Sequence, residues 1–257
     1  MLLAIDAGNT NTLFAVHDGE RFRAQWRSAT KDTKTADEFI VWLSNLMELE
    51  NLKIKDVDAA IIASVVPQSL FNLRSLCRKY FQAEPLVVGE PGIDVGLRIN
   101  MDRPQDVGAD RLVNAVAAHK IYGGPLIVID FGTATTFDVV SKTGDYEGGV
   151  ISPGVNTSLE ALHLAAAQLP RIEVTKPQRV IGDATTPAMQ SGTYWGYLGL
   201  IEGLVARIKE EYDEPMKVVA TGGLANLFRN ATSVIEDVNQ DLTIEGLLAI
   251  YKLNTTP

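Results

Sequence analysis

Asp6 and Asp130 each end an apolar run and are followed by a glycine and small polar residues. Leu2-Leu3-Ala4-Ile5-Asp6-Ala7-Gly8-Asn9-Thr10-Asn11-Thr12 aligns without gaps onto Leu126-Ile127-Val128-Ile129-Asp130-Phe131-Gly132-Thr133-Ala134-Thr135-Thr136, an offset of 124 residues. A carboxylate at a strand end can hold hydrated Mg2+. Glycine lets backbone approach an anion, and exposed amides with Asn and Thr side chains donate hydrogen bonds. This is chemistry suited to a polyphosphate. No Gly-Lys-Ser/Thr sequence occurs, so the turns are not Walker A loops and Mg2+ would supply the positive charge. Either turn alone has ordinary hairpin composition; the duplication at half-chain spacing makes the pair a candidate site. A third glycine turn, Val218-Val219-Ala220-Thr221-Gly222-Gly223-Leu224, runs from a strand into a helix and could accept an adenine or ribose face.

A second kind of chemistry sits in Val107-Gly108-Ala109-Asp110-Arg111. An aspartate in the first turn of a helix is kept ionised by the free amides there, ready to accept a proton or orient a hydroxyl. The same residue could simply cap the helix. Arg111 offers a planar fork of donors for a carboxylate, or a surface ion pair with Asp106 or Asp110. Cys77 is alone, which rules out an intramolecular disulfide, and it reads as a small buried hydrophobe. His17, His119 and His163 have no metal-ligand spacing, so no zinc site is expected.

The elements that must position these groups alternate between strand and helix. Each Asp-x-Gly turn joins two strands, the second being Leu13–Val16 and Phe137–Val140. Thr35-Ala36-Asp37-Glu38 has the form of a capping box, followed by an apolar stripe at Phe39, Trp42, Leu43 and Leu46. A strand is expected over Ala59–Val66, a helix over Gln68–Phe81 and a strand over Pro85–Gly89. A loop then leads to a helix starting near Gly108 and ended by Tyr122-Gly123-Gly124-Pro125. Ser141–Asp145 reads as a hairpin turn before a strand at Tyr146–Ile151. Helices are expected at Thr157–Gln168, Thr186–Tyr212, Leu224–Asn230 and Leu242–Leu253, with a strand at Lys217–Ala220. The pattern divides the chain into residues 1–115 and 116–257. Tyr194, Trp195 and Tyr197 on the long helix could be core or subunit surface; because Tyr194 and Tyr197 share a face and Trp195 lies off it, a helix-helix interface between subunits is the favoured reading.

Composition limits the partners. The 257 residues carry 32 acidic and 23 basic side chains, a formal charge of −9, which argues against a nucleic-acid footprint. With 46% hydrophobic and 21% charged residues the chain can bury a substantial core. The longest apolar run, Ala59–Val66, is far shorter than the ~20 residues needed to cross a bilayer, and the N-terminus, with no basic stretch followed by an apolar one, is not expected to be a leader. A cytoplasmic protein with no membrane partner is the expectation.

Asp6-Ala7-Gly8-Asn9-Thr10-Asn11, Ile129–Thr136 and Ala220-Thr221-Gly222-Gly223 resemble the two phosphate motifs and the adenosine motif of the superfamily containing actin, sugar kinases and Hsp70. Three further motifs narrow the resemblance: Val107–Arg111, Gly148-Gly149-Val150-Ile151-Ser152-Pro153-Gly154, and Ala188-Met189-Gln190-Ser191-Gly192. With them the chain is similar, over essentially its whole length, to the type III pantothenate kinases. The resemblance implies an α/β fold of two similar ribonuclease H-like, actin-like ATPase domains with a nucleotide cleft between them. It implies ATP-dependent phosphorylation of the primary hydroxyl of pantothenate, the first step of coenzyme A synthesis. Mg2+ with ATP, a monovalent cation (K+ or NH4+) and a homodimer with the acceptor site near the subunit interface are implied as well.

Residue by residue, the resemblance makes Asp110 the acceptor of the hydroxyl proton. ATP contacts fall to Asp6, Ala7, Gly8, Asn9, Thr10, Asn11, Thr12, Leu13 and Thr133, with Asp6 also at Mg2+ and Asp130 at the monovalent cation. Met101, Gly108, Ala109, Asp110 and Arg111 line the pantothenate pocket, with Thr185 contributed by the other subunit. Met101 stands where the family commonly has tyrosine, and Arg103 where asparagine is frequent; the phenolic hydrogen bond is therefore lost. A sugar kinase of the same superfamily and a regulator of the Bvg accessory factor kind are the alternatives. The Gly-Ala-Asp-Arg and Gln-Ser-Gly motifs argue against the first, and retention of Asp6, Asp110 and Asp130 favours catalysis over the second.

Overall fold

The computed structural model describes residues 1–31, 33–166 and 169–255. The chain divides into two compact units: Met1–Arg98 with Asp102–Ala117 and Leu242–Pro257, and Ile99–Met101 with Ala118–Asp241. The division is not a single cut in sequence, as the expected boundary at 115/116 would be. Residues 242–257 join the first unit because Ile244, Leu247 and Ile250 are buried against its sheet.

The first unit contains β1 (Leu2–Ala7), β2 (Asn11–His17), β3 (Phe22–Ala29), α1 (Ala36–Leu49), β4 (Ala59–Ser64), α2 (Pro67–Tyr80), β5 (Leu86–Val87), the start of α3 (Ala109–Tyr122) and, last in the chain, α7 (Leu242–Thr255). Its sheet has the order β3-β2-β1-β4-β5, with β1 antiparallel to β2 and parallel to β4. Alternate residues of the central strands face opposite sides. Leu3, Ile5, Phe14 and Ile62 pack toward α1 and α2, while Ala4, Ala15, Ile61 and Ala63 pack toward α3 and α7. That double burial explains why β4 reads as a continuous apolar run.

Local sequence explains the helix starts. Thr35 and Glu38 exchange the two hydrogen bonds of a capping box: the Glu38 N–H donates to Thr35 Oγ1 at 3.3 Å, and the Thr35 N–H to Glu38 Oε2 at 2.8 Å. The buried stripe of α1 is Phe39, Ile40, Leu43 and Met47, one residue round from the expected face, so Trp42 and Leu46 are only half-buried. Pro67 opens α2 at a position whose N–H has no intrahelical partner in any case.

The second unit contains β6 (Leu126–Phe131), β7 (Ala134–Val140), β8 (Tyr146–Pro153), α4 (Val155–Ala165), α5 (Thr185–Tyr212), β9 (Lys217–Gly222), α6 (Ala225–Arg229) and β10 (Asp237–Val238). Read from β8, its sheet order β8-β7-β6-β9-β10 repeats the order of the first unit. The 124-residue offset also carries Phe22–Ala29 onto Tyr146–Pro153, so the repeat extends through a third strand. The fold is thus α/β with two similar five-stranded sheets. Helix α4 starts two residues before the expected Thr157, and the expected end at Gln168 lies outside the described residues.

The aromatic cluster on α5 is core, the less favoured of the two sequence readings, rather than subunit surface. Tyr194 is only 1% exposed and stacks on Phe228 at 5.9 Å, Trp195 packs on the same cluster, and the Tyr197 hydroxyl shares its one proton between the backbone carbonyls of Pro153 and Gly154. No helix among the described residues is long and apolar enough to cross a membrane.

Candidate active site

Asp6 is the penultimate residue of β1, paired with Leu13 on β2 and Ala63 on β4. The turn beyond it is closed by the Gly8 N–H donating to the Asn11 carbonyl at 3.1 Å. Asn9, Thr10 and Asn11 are exposed at its tip. Ala7 and Leu13 instead lie in the two cores, and Thr12 is buried.

Thr30, just past β3, holds this turn and was not singled out from the sequence. Its N–H donates to the Thr10 carbonyl at 2.9 Å and its hydroxyl to the Gly8 carbonyl at 2.7 Å. That hydroxyl has one proton, so in the 2.9 Å contact between Thr12 Oγ1 and Thr30 Oγ1 it is Thr12 that donates. The missed signal was the strand carrying Thr30: Asp18 Oδ1 accepts from the Glu20 and Arg21 N–H groups and Gly19 has φ 106°, the marks of a hairpin turn.

Helix α3 begins at the same strand ends. The Val65 N–H, just after β4, donates to the Ala7 carbonyl at 3.1 Å. A Cβ placed on Gly108 would stand 3.4 Å from Val65 Cγ1. The Asp6 turn and the Gly108–Arg111 helix start therefore share the carboxyl ends of β1 and β4, where open α/β sheets bind ligands. Asp110 and Arg111 are both partly buried, and Asp110 Oδ1 accepts the Arg111 N–H at 2.8 Å. Burial raises the Asp110 carboxyl above the ordinary range, against the smaller lowering by that amide and by the Arg111 guanidinium. The expectation that helix-terminal amides hold it at low pKa is thus corrected: desolvation outweighs them. Asp106 lies 4.0 Å from Arg103, an exposed ion pair in the preceding turn.

In the second unit Asp130 occupies the position equivalent to Asp6, paired with Thr136 on β7 and Thr221 on β9. Its turn is closed by the Gly132 N–H donating to the Ala134 carbonyl at 3.0 Å. Gly222 packs against it with φ 89°, where a Cβ would fall 2.7 Å from Asp130 Oδ1 and 2.6 Å from the Phe131 carbonyl. Only glycine satisfies both the backbone angle and that approach. Thr133 is exposed, and its carbonyl accepts the Gly154 N–H at 3.0 Å and the Thr157 hydroxyl at 2.6 Å. Asp138, also absent from the sequence reading, is fully buried and accepts from the Tyr146 hydroxyl at 2.7 Å and the Thr136 hydroxyl at 3.2 Å.

The remaining expected residues occupy other parts of this unit. Met101 is 38% exposed and follows a strap in which the Asn100 N–H donates to the Tyr146 carbonyl at 2.8 Å. Thr185 opens α5, exposed, at the edge of a cavity of about 610 Å3 between α4 and α5 that Leu159, Leu162, Met189 and Tyr197 also line. The Gln190-Ser191 pair secures the irregular chain before α5: Gln190 Nε2 donates to Thr175 Oγ1 at 3.2 Å and the Ser191 hydroxyl to the Val180 carbonyl. Among the described residues no group of three or more His, Cys, Asp or Glu side chains could hold a metal ion by itself.

Comparison with known proteins identifies the family. Residues 2–207 match the family model of type III pantothenate kinase. The type III pantothenate kinase of Paramagnetospirillum magneticum is 64% identical over 257 residues, covering 100% of this chain and 99% of that protein. The type III pantothenate kinase of Rhodospirillum rubrum is 63% identical over 254 residues, covering 99% of each. Among solved structures, a Sinorhizobium meliloti protein assigned as a 2-dehydro-3-deoxygalactonokinase shares the fold, with TM-score 0.62, 16% identity and coverage of 100% of this chain and 98% of that one. The repeated Asp turns, the Gly-Ala-Asp-Arg helix start and the full-length identity together place the chain in one family: it belongs to the type III pantothenate kinases.

Proposed function

We propose that the chain transfers the γ-phosphoryl group of ATP to the primary hydroxyl of pantothenate, giving 4'-phosphopantothenate for coenzyme A synthesis. Family membership supplies the substrates. The observation that carries the residue roles is the meeting of the Asp6 turn and the Asp110 helix start at the ends of β1 and β4, linked through Val65.

In this reading Asp110 accepts the hydroxyl proton, a task its raised pKa suits. Arg111 binds the pantothenate carboxylate, and Gly108, Ala109 and Met101 line the acceptor pocket with Thr185 of a second copy. ATP is held by the turn of residues 6–13, whose exposed Asn9, Thr10 and Asn11 face solvent while buried Ala7, Thr12 and Leu13 anchor it in the core, and by Thr133. Phosphoryl transfer is commonly loose, so positioning by these groups contributes more than base strength. Asp6, a carboxylate at a strand end beside the exposed Asn9–Asn11 turn, fits Mg2+ arriving with ATP, because Mg2+ uses one or two carboxylates plus phosphates rather than an all-protein cage. The ion supplies positive charge against the phosphates. Asp130, an oxygen donor among backbone carbonyls, fits K+ or NH4+. A homodimer in the cytoplasm completes the proposal.

The decisive experiment is a coupled ADP-release assay with pantothenate, hexoses or no acceptor, each with K+ or Na+. ADP release that requires pantothenate and falls when Na+ replaces K+ is expected. Release that is equal without pantothenate sinks the acceptor assignment, and indifference to the cation sinks the role of Asp130.

A further inference from the structure

Helix α3 is capped from inside its own first turn. Gly108 occupies the N-cap position, its carbonyl accepting the N–H groups of Arg111 at 3.1 Å and Leu112 at 3.2 Å. Ser, Thr, Asp and Asn are favoured there because their side-chain oxygens accept the amides of the second and third helical residues. Here the Arg111 amide is shared between the Gly108 carbonyl and Asp110 Oδ1, the latter being the shorter contact at 2.8 Å. A Cβ on Gly108 would lie 2.6 Å from that same oxygen, whereas its next neighbour, Val65 Cγ1, is at an ordinary 3.4 Å. Gly108 is not among the glycines with positive φ, so its backbone would accept other residues. Among the described residues, the group that such a side chain would crowd most is the Asp110 carboxylate.

We infer that Gly108 is a positioning residue: it keeps the N-cap space empty so that the Asp110 carboxylate can fold back into it, held by the Arg111 amide. This is a different role from lining the acceptor pocket, and it rests on the reading of Asp110 as proton acceptor. A better helix cap at this position makes a worse enzyme.

The test is Gly108→Ser, with Asp110→Asn and the double variant. Serine restores an N-cap oxygen, so Tm is expected at or above wild type. The hydroxymethyl group displaces the carboxylate by about 1 Å, and kcat falls by about 10²-fold with the KM for ATP unchanged. Adding Gly108→Ser to Asp110→Asn lowers kcat no further, because both act through one group. Wild-type kcat in Gly108→Ser overturns the inference, as does a raised pantothenate KM with unchanged kcat. Should the serine variant melt early, Gly108→Ala, which adds only the Cβ, must show the same loss of kcat; if both melt early, the glycine is structural and the inference falls. Wild-type kcat in Asp110→Asn overturns the base reading itself, a result distinguishable from failure of Gly108→Ser alone.

Discussion

At the scale of single residues, Asp110 combines opposite influences. Burial raises its carboxyl pKa, while the Arg111 amide and guanidinium lower it by less. An acceptor of the hydroxyl proton must be ionised, so activity is lost as pH falls through the raised value. The acid limb of kcat/KM for pantothenate is expected above the ~3.9 of an ordinary aspartate, and Asp110→Asn should abolish that limb. The same substitution is expected to lower kcat by about 10²–10⁴-fold while leaving ATP affinity, measured by calorimetry, near wild type. Stability moves the other way. A carboxyl whose folded-state pKa is raised stabilises the fold below its unfolded pKa and loses that contribution as pH rises through the folded value. At neutral pH the uncharged Asp110→Asn variant should therefore melt no lower than wild type. A limb that persists in the variant would assign the titration to another group.

At the scale of elements, the turn after β1 depends on a strand two positions away in the sheet. Thr30, just past β3, donates to the carbonyls of Gly8 and Thr10 and accepts from the Thr12 hydroxyl. Thr30→Val keeps the shape but removes the hydroxyl, leaving Gly8 and Thr12 each short of a partner, at a cost of about 1–3 kcal/mol if those groups stay dry. A raised KM for ATP with kcat little changed is expected from steady-state kinetics, and an unchanged KM would free Thr30 of this role. The Asp turns, the capping box of α1 and the helix start at Gly108 were legible because each is written in a few adjacent residues. β3 was not: it is an edge strand with Arg23, Gln25 and Arg27 facing solvent and only Phe22, Ala24, Trp26 and Ser28 half-buried, so its pairing to β2 defines it better than its hydrophobicity. The side of the chain to which α7 belongs was equally hidden, because tertiary packing of Ile244, Leu247 and Ile250 decides it. Asp110 was legible as a residue but not in its electrostatics, since a motif carries no information about burial.

At the scale of the whole molecule, the net charge of −9 sets two anionic substrates against a protein of their own sign, which cations bound near the phosphates would offset, and the proposed homodimer has its own mark on the surface. Helix α5 presents Thr185, Ala188, Gly192, Gly196 and Gly199 exposed along one face. A Cβ on Gly192, Gly196 or Gly199 would touch nothing within 4 Å, so the described chain gives no steric reason for these glycines, each costing about 1 kcal/mol relative to alanine inside a helix. Close approach of the same helix from another subunit would offset that cost and bring Thr185 to the shared face, as the proposed acceptor site requires. Wild type is therefore expected to be a dimer by light scattering at micromolar concentration. Gly196→Arg should give a monomer with undiminished helical circular dichroism, because arginine is the better helix former. Its kcat/KM for pantothenate should collapse while ATP binding persists, since only the acceptor pocket draws on the partner's Thr185. A monomeric wild type, or a Gly196→Arg monomer with full pantothenate turnover, would confine the active site to a single chain.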